Sequence, residues 1–119
     1  MTTVDVANRL VELCRQGNFE AAQRELYADD AISIEPYATA DFEKECHGLE
    51  AILEKGKKWG EMVEEAHGID VSEPLLADSS FAVTMTMDVT MKGGQRMKMT
   101  ELCISHVKDG KIISETFLM

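Results

Sequence analysis

The chain has 119 residues, enough for one hydrophobic core and too few for two, so a single domain over residues 1–119 is expected. Its 22 acidic residues against 12 basic ones give a formal charge of −10, which repels nucleic acid and anionic membrane surfaces. There is no basic segment followed by an apolar run at the start, no apolar stretch long enough to span a bilayer, and no C-x-x-C spacing among Cys14, Cys46 and Cys103, so a reducing cytoplasm is expected and a zinc site is not.

From Val4 to Gly17 the apolar residues Val6, Ala7, Leu10, Val11, Leu13 and Cys14 recur at helical spacing, with Thr2 or Thr3 as cap. Gly17 suits a helix end and Asn18 the next cap, after which Phe19, Ala22, Gln23 and Leu26 mark a second, shorter helix. The pattern then changes at Asp29-Asp30 into an alternating strand that runs through Ile32 and Ile34 to Glu35, where Pro36 favours extended backbone and a strand end. Residues 37–47 have no period and read as a loop over a mouth, a place where specificity is often carried.

Leu49, Ile52, Leu53, Gly56, Trp59, Gly60 and Val63 mark a third helix, with Lys55, Lys57 and Lys58 largely to one side. Its two glycines each cost roughly 1 kcal/mol against alanine in a helix interior, a cost offset by close packing or by room left for something else. His67, Ile69 and Val71 alternate in a strand before Pro74. Phe81, Val83, Met85, Met87, Val89 and Met91 then occupy every second position of the clearest strand in the chain. Gly93-Gly94 turns it back into the strand from Gln95 to Val107, and Asp109-Gly110 turns again into Lys111 to Met119. The returning strand is apolar on both parities, Met97, Met99, Cys103 and Val107 on one and Leu102 and Ile104 on the other, so its outer face needs a second cover or a bulge.

The order ααβαββββ, the phrase Tyr27-Ala28-Asp29-Asp30-Ala31 leading into Glu35-Pro36, the helix start Gly48-Leu49-Glu50-Ala51-Ile52 and the ending Asp109-Gly110-Lys111-Ile112 together resemble the SnoaL-like branch of the nuclear transport factor 2-like superfamily. The resemblance implies an α+β fold in which a cone-shaped, curved antiparallel sheet is packed by three helices around a largely apolar pocket. It also implies binding of a small apolar organic ligand, without a cofactor, by a protein that is a cofactor-free isomerase, cyclase or dehydratase, or else a non-catalytic binding or dimerisation module. Compared with ketosteroid isomerase, Glu35 falls at the position of the catalytic base, the enolate-stabilising tyrosine falls on Leu10, and the protonated acid falls near Cys103, with Glu101 two residues away on the same parity.

Glu35 has two readings. As a general base at an apolar rim it has its charged form disfavoured by burial, whereas the inward preference of Ile32 and Ile34 would turn it to solvent. Glu101 shares the parity of Met97, Met99 and Cys103, where an unpaired carboxylate is expensive, so it either serves a pocket or pairs with Arg96 or Lys98. Met85, Met87 and Met99, with Cys103, form either an adaptable ligand wall or ordinary core. Tyr37 and Trp59 are aromatic ligand contacts from the mouth loop and the third helix, and Tyr27 supplies a pocket hydroxyl or covers the helix–sheet junction. His67 and His106 are not paired into a metal site, and no nucleophile motif or phosphate loop is present. Leu102, Ile104, Ile32 and Ile34 predict a homodimer through the outer sheet face.

Overall fold

Thr2 opens the chain with a reciprocal cap: its hydroxyl accepts from the Asp5 amide while the Asp5 carboxylate accepts from the Thr2 amide, and helix α1 runs from Thr3 to Arg15. In the computed structural model, which describes residues 1–119, α1 is followed by α2 (Phe19–Leu26), β1 (Tyr27–Ile34), β2 (Glu45–His47), α3 (Leu49–Met62), β3 (Val63–Val71), β4 (Leu75–Leu76), β5 (Ser80–Met91), β6 (Arg96–Lys108) and β7 (Lys111–Leu118). The expected order lacked two short strands. One is β2, the end of the mouth loop, which pairs with β1, and the other is β4, which pairs with the start of β5.

The strands form one seven-stranded curved sheet in the order β2-β1-β7-β6-β5-β3, with β4 beside β5. All pairs are antiparallel except β1 with β7, so the sheet is mixed where antiparallel pairing throughout was expected. Helix α3, between β2 and β3, carries the chain across the sheet, which lets the last strand lie alongside the first in the same direction. Bulges interrupt the β1/β7, β3/β5 and β6/β7 ladders, and bulges bend and twist a sheet locally.

Helices α1 and α3 and the inner sheet face enclose the core. Val6, Leu10 and Cys14 of α1, Leu26 of α2 and Ile52 of α3 pack with Phe81, Val83, Met85, Cys103, Val107 and Ile112. The alternation read from β5 holds, with Phe81, Val83, Met85 and Val89 buried. On β6, Met97, Met99, Glu101, Cys103, Ser105 and Val107 share the inner parity, while Leu102 and Ile104, each 36% exposed, face out. Register aligns Leu102 with Leu118 and Ile104 with Thr116, which also pairs with Ile34, so an apolar patch crosses three strands on the outer face.

Five glycines adopt positive φ, and two of them, Gly48 and Gly110, set how the elements around the site dock. Gly48, at φ +93°, opens α3 and donates its amide to the Ala31 carbonyl at 2.7 Å, docking the helix start on β1. Gly110, at φ +76° after Asp109 at φ +52°, closes the tight β6–β7 hairpin, where two positive φ values match the twist of the flanking strands. Of the two glycines in α3, a Cβ on Gly56 would stand 3.7 Å from Gln23 Oε1, an ordinary contact, and one on Gly60 would meet nothing within 4 Å. Close packing therefore does not explain them, whereas Gly56 does lie on a cavity wall.

Candidate functional site

Strand β1 decides the site. Ala31 and Ser33, both fully buried, face inward under α3, and the bulkier Ile32 and Ile34 are half-buried on the outer face. Small residues sit where the helix crosses closely, so the expectation that both isoleucines seek the core fails at this strand. By the same alternation Glu35 faces inward. Its amide donates to the Lys44 carbonyl at 2.7 Å, tying the strand end to the far end of the mouth loop.

A cavity of about 360 Å³ opens between the sheet, α1, α2, α3 and the mouth loop. Its wall is mainly apolar, with Val11, Val83, Met85, Met87 and Phe117 among its side chains. All nine residues singled out from the sequence lie on it: Tyr27, Glu35, Tyr37, Trp59, Met85, Met87, Met99, Glu101 and Cys103. Tyr37 stands at the rim, 59% exposed, with its hydroxyl 3.7 Å from Met119 Sδ. A larger open groove of about 680 Å³ lies along the other side of α3, but it is lined mostly by exposed charged side chains such as Glu43, Glu54 and Lys57. Enclosed apolar surface with a few polar groups is what binds small organic molecules, so the smaller cavity is the candidate site.

Three carboxylates reach this cavity, each in a different setting. Glu35, with its side chain 26% exposed, is ion-paired to Lys55 Nζ at 3.0 Å. Glu115 is almost fully buried and accepts two hydroxyl hydrogens, one from Tyr27 and one from Ser33 Oγ at 2.7 Å. Lys55 Nζ also donates to Ser33 Oγ at 2.6 Å, so the five side chains form one connected chain from Tyr27 to Glu35. Glu101 has neither an ion pair nor a side-chain hydrogen bond, because Arg96 forks onto Asp88 instead at 3.0 and 2.9 Å.

These settings separate the proton affinities. Burial, then the Glu35 and Glu115 charges, push Glu101 from an ordinary 4.5 up to about 7, with Lys55 opposing. Burial also raises Glu115, against the pull of its Ser33 and Tyr27 hydrogen bonds and of Lys55. Tyr27 is raised well above 10, by burial and then by Glu115, and stays a neutral phenol. Burial lifts Cys14 to about 12 and raises Cys103 further, so neither supplies a thiolate nucleophile at neutral pH. No group of three or more potential ligand side chains is arranged to hold a metal ion.

Sequence reasoning did not single out Glu115, Ser33 or Lys55 as site residues. Lys55 was legible only as one of three lysines on a helix flank. Glu115 shares a strand parity with Ile113 and Phe117, which was a usable signal, but the buried Ile112 stands on the opposite parity. The structure reconciles the two through a bulge in β7, where His106 and Val107 pair with Ser114 and Ile112 and leave Ile113 over.

A family model described as the SnoaL-like domain matches residues 1–119. The chain belongs to the SnoaL-like family. A SnoaL-like protein from Mesorhizobium loti, named as a polyketide cyclase and also as a carbohydrate phosphatase, is 35% identical over 100% of both chains, with a TM-score of 0.88. TerC, crystallised with polyporic acid, matches at 13% identity and a TM-score of 0.79, over 98% of this SnoaL-like chain and 90% of its own. A Catenulispora acidiphila protein with a ketosteroid isomerase-like fold, in complex with trimethylamine, matches at 13% identity and a TM-score of 0.74, over 96% of this chain and 84% of its own. At such identities the last two establish shared fold alone. No match is found among curated proteins.

Proposed function

We propose that this SnoaL-like protein binds a small, mainly apolar organic molecule in the 360 Å³ cavity and moves a proton on its carbon framework without a cofactor, as an isomerase, cyclase or dehydratase. The observation that carries the reading is that Glu35 and Glu101 lie on one apolar wall in opposite electrostatic settings, one beside an ammonium and one with no partner. Carboxylates held apart in this way are suited to divide acid and base work. Glu35 is the base: it takes a proton from a C–H bond activated by a neighbouring carbonyl, and the electron pair moves into the enol oxygen. Glu101, still partly protonated near neutral pH, donates to that oxygen and stabilises the charge forming there. Return of the proton from Glu35 to another carbon completes an isomerisation, and its delivery to a β-hydroxyl, which leaves as water while the C=C bond forms, completes a dehydration. Tyr27, held by Glu115, together with Trp59, Tyr37, Met85, Met87, Met99 and Cys103, contacts the ligand.

Polyporic acid in TerC and trimethylamine in the Catenulispora protein support small-molecule binding by this fold, and the polyketide cyclase name of the 35% identical relative agrees with carbonyl chemistry. The phosphatase name does not suit this cavity, because three carboxylates against one lysine repel a phosphate ester. The reading also places the protein in the cytoplasm, supported by its three unpaired cysteines. It takes the protein to be a homodimer, with Leu102, Ile104 and Leu118 covered at the outer face.

The test is a thermal-shift screen of small neutral apolar ketones and quinones, since a ligand that binds only the folded state raises its apparent stability. Compounds of that class should shift wild type and E35Q equally, and turnover should be confined to wild type. Shifts by phosphate esters and not by ketones would overturn the assignment. A ligand shift without turnover in wild type would favour the second reading, a binding module, to which the Lys55 clamp on Glu35 already lends support.

A further inference from the structure

Lys55 sits between Glu35 and the Ser33–Glu115–Tyr27 chain, with its side chain only 17% exposed. Its Nζ donates to Glu35 Oε1 at 3.0 Å and to Ser33 Oγ at 2.6 Å, and stands 5.5 Å from the centre of the Phe117 ring. An ammonium can only donate. The Ser33 oxygen is therefore the acceptor in its contact with Lys55, and its single hydrogen goes to Glu115 Oε2 at 2.7 Å. Tyr27 gives its only hydroxyl hydrogen to the other oxygen of Glu115. The lysine thus fixes the Ser33 hydrogen on Glu115 Oε2, while the neutral Tyr27 phenol donates to the other oxygen of the ionised carboxylate. A proton added at Glu115 Oε2 would put a second hydrogen into the Ser33 contact and break it.

We infer that Lys55 is the positioning residue of this cavity: it holds the Glu35 carboxylate against the wall and, through Ser33, links it to the Glu115–Tyr27 pair, so that two carboxylates share one ammonium. When Glu35 takes up a proton its claim on Lys55 ends, and the ammonium's charge then falls to Glu115 through Ser33. No bond to Lys55 is made or broken, and its amine remains protonated throughout. The consequence for catalysis rests on the carboxylate reading above, but the linkage itself is measurable without a substrate.

The experiment follows the side-chain carboxyl carbons of ¹³C-glutamate-labelled wild type, K55M, K55R and S33A by NMR across a pH titration. Lys55 favours the ionised forms of both Glu101 and Glu115, so in K55M both should titrate at higher pH than in wild type, with Glu101 moving above about 7, and K55R should restore the wild-type curves. S33A retains the Lys55–Glu35 pair and takes from Glu115 both the Ser33 hydrogen bond and the link to Lys55, so Glu115 should move up while Glu101 stays. A lysine that only packs against Phe117 would leave every curve in K55M unchanged, and that result overturns the proposal. Should K55M fail to fold, K55Q decides: unmoved Glu101 and Glu115 curves contradict the linkage, and both moving up support it. Loss of turnover on a later substrate bears on the proposed function and leaves these titrations standing.

Discussion

Replacing Glu101 by Gln should stabilise the protein in alkaline solution and leave it unchanged in acid. Glu101 has no hydrogen bond or ion pair to lose, so the amide removes a charge and little else. In the unfolded chain the carboxyl ionises near 4.5, and in the folded cavity near 7. Below the lower value both states hold the proton and the residue costs nothing. As pH rises, the unfolded state loses its proton first, so folding stability falls through this window and levels off above it. At 1.36 kcal/mol per pH unit the full cost is roughly 3 kcal/mol, an upper bound because the cavity admits water when the charge forms. Urea unfolding of wild type and E101Q at about pH 4 and about pH 8 reads the difference directly. Other titrating groups cancel between the two proteins, and a gain near 2 kcal/mol at the higher pH would raise the midpoint by about 1 M urea. An equal difference at both pH values would refute the claim that the Glu101 charge is what the fold resists.

Tyr27→Phe should cost about 1–3 kcal/mol in urea unfolding, because it leaves buried Glu115 short of one donor, and it should raise the Glu115 titration further. Combining L102K with I104K on the outer face should convert the proposed dimer to a 13.2 kDa monomer by sedimentation without loss of helical circular dichroism, whereas an unchanged sedimentation profile would remove that face from the interface. Glu35→Gln should bind the ligands that wild type binds, and a variant that retained turnover would exclude Glu35 as base.

Much of the fold was legible because local patterns agreed with tertiary demand. Helix α1 carries both its cap and its apolar stripe in sequence, and the period-2 run from Phe81 to Val89 matches the buried face of β5. The family phrase around Asp29-Asp30 and the local hydropathy gave opposite readings of Glu35, which lines the cavity in the structure. That conflict arose because Ile32 and Ile34 are drawn outward by an apolar outer face, while α3 leaves only enough room for Ala31 and Ser33 beneath it. Non-local features were not legible. A parallel β1–β7 pair depends on how distant elements dock, and a one-residue bulge at Ile113 reverses parity without a local mark in the sequence. Lys55 could not be told from Lys57 and Lys58 because helix periodicity does not show which residue lies over a strand end bearing a glutamate.

The most direct test of proton transfer at this site is deuterium incorporation. With a ketone or quinone ligand identified by thermal shift, ¹H NMR in D₂O follows exchange of the C–H bonds next to the ligand's carbonyl in the presence of wild type, E35Q and E101Q. Wild type should accelerate exchange at one carbon, E35Q should bind the ligand and give only the background rate, and E101Q should fall between them. A ligand that saturates wild type while exchanging at the background rate, or that exchanges equally fast with E35Q, would contradict Glu35 as the base.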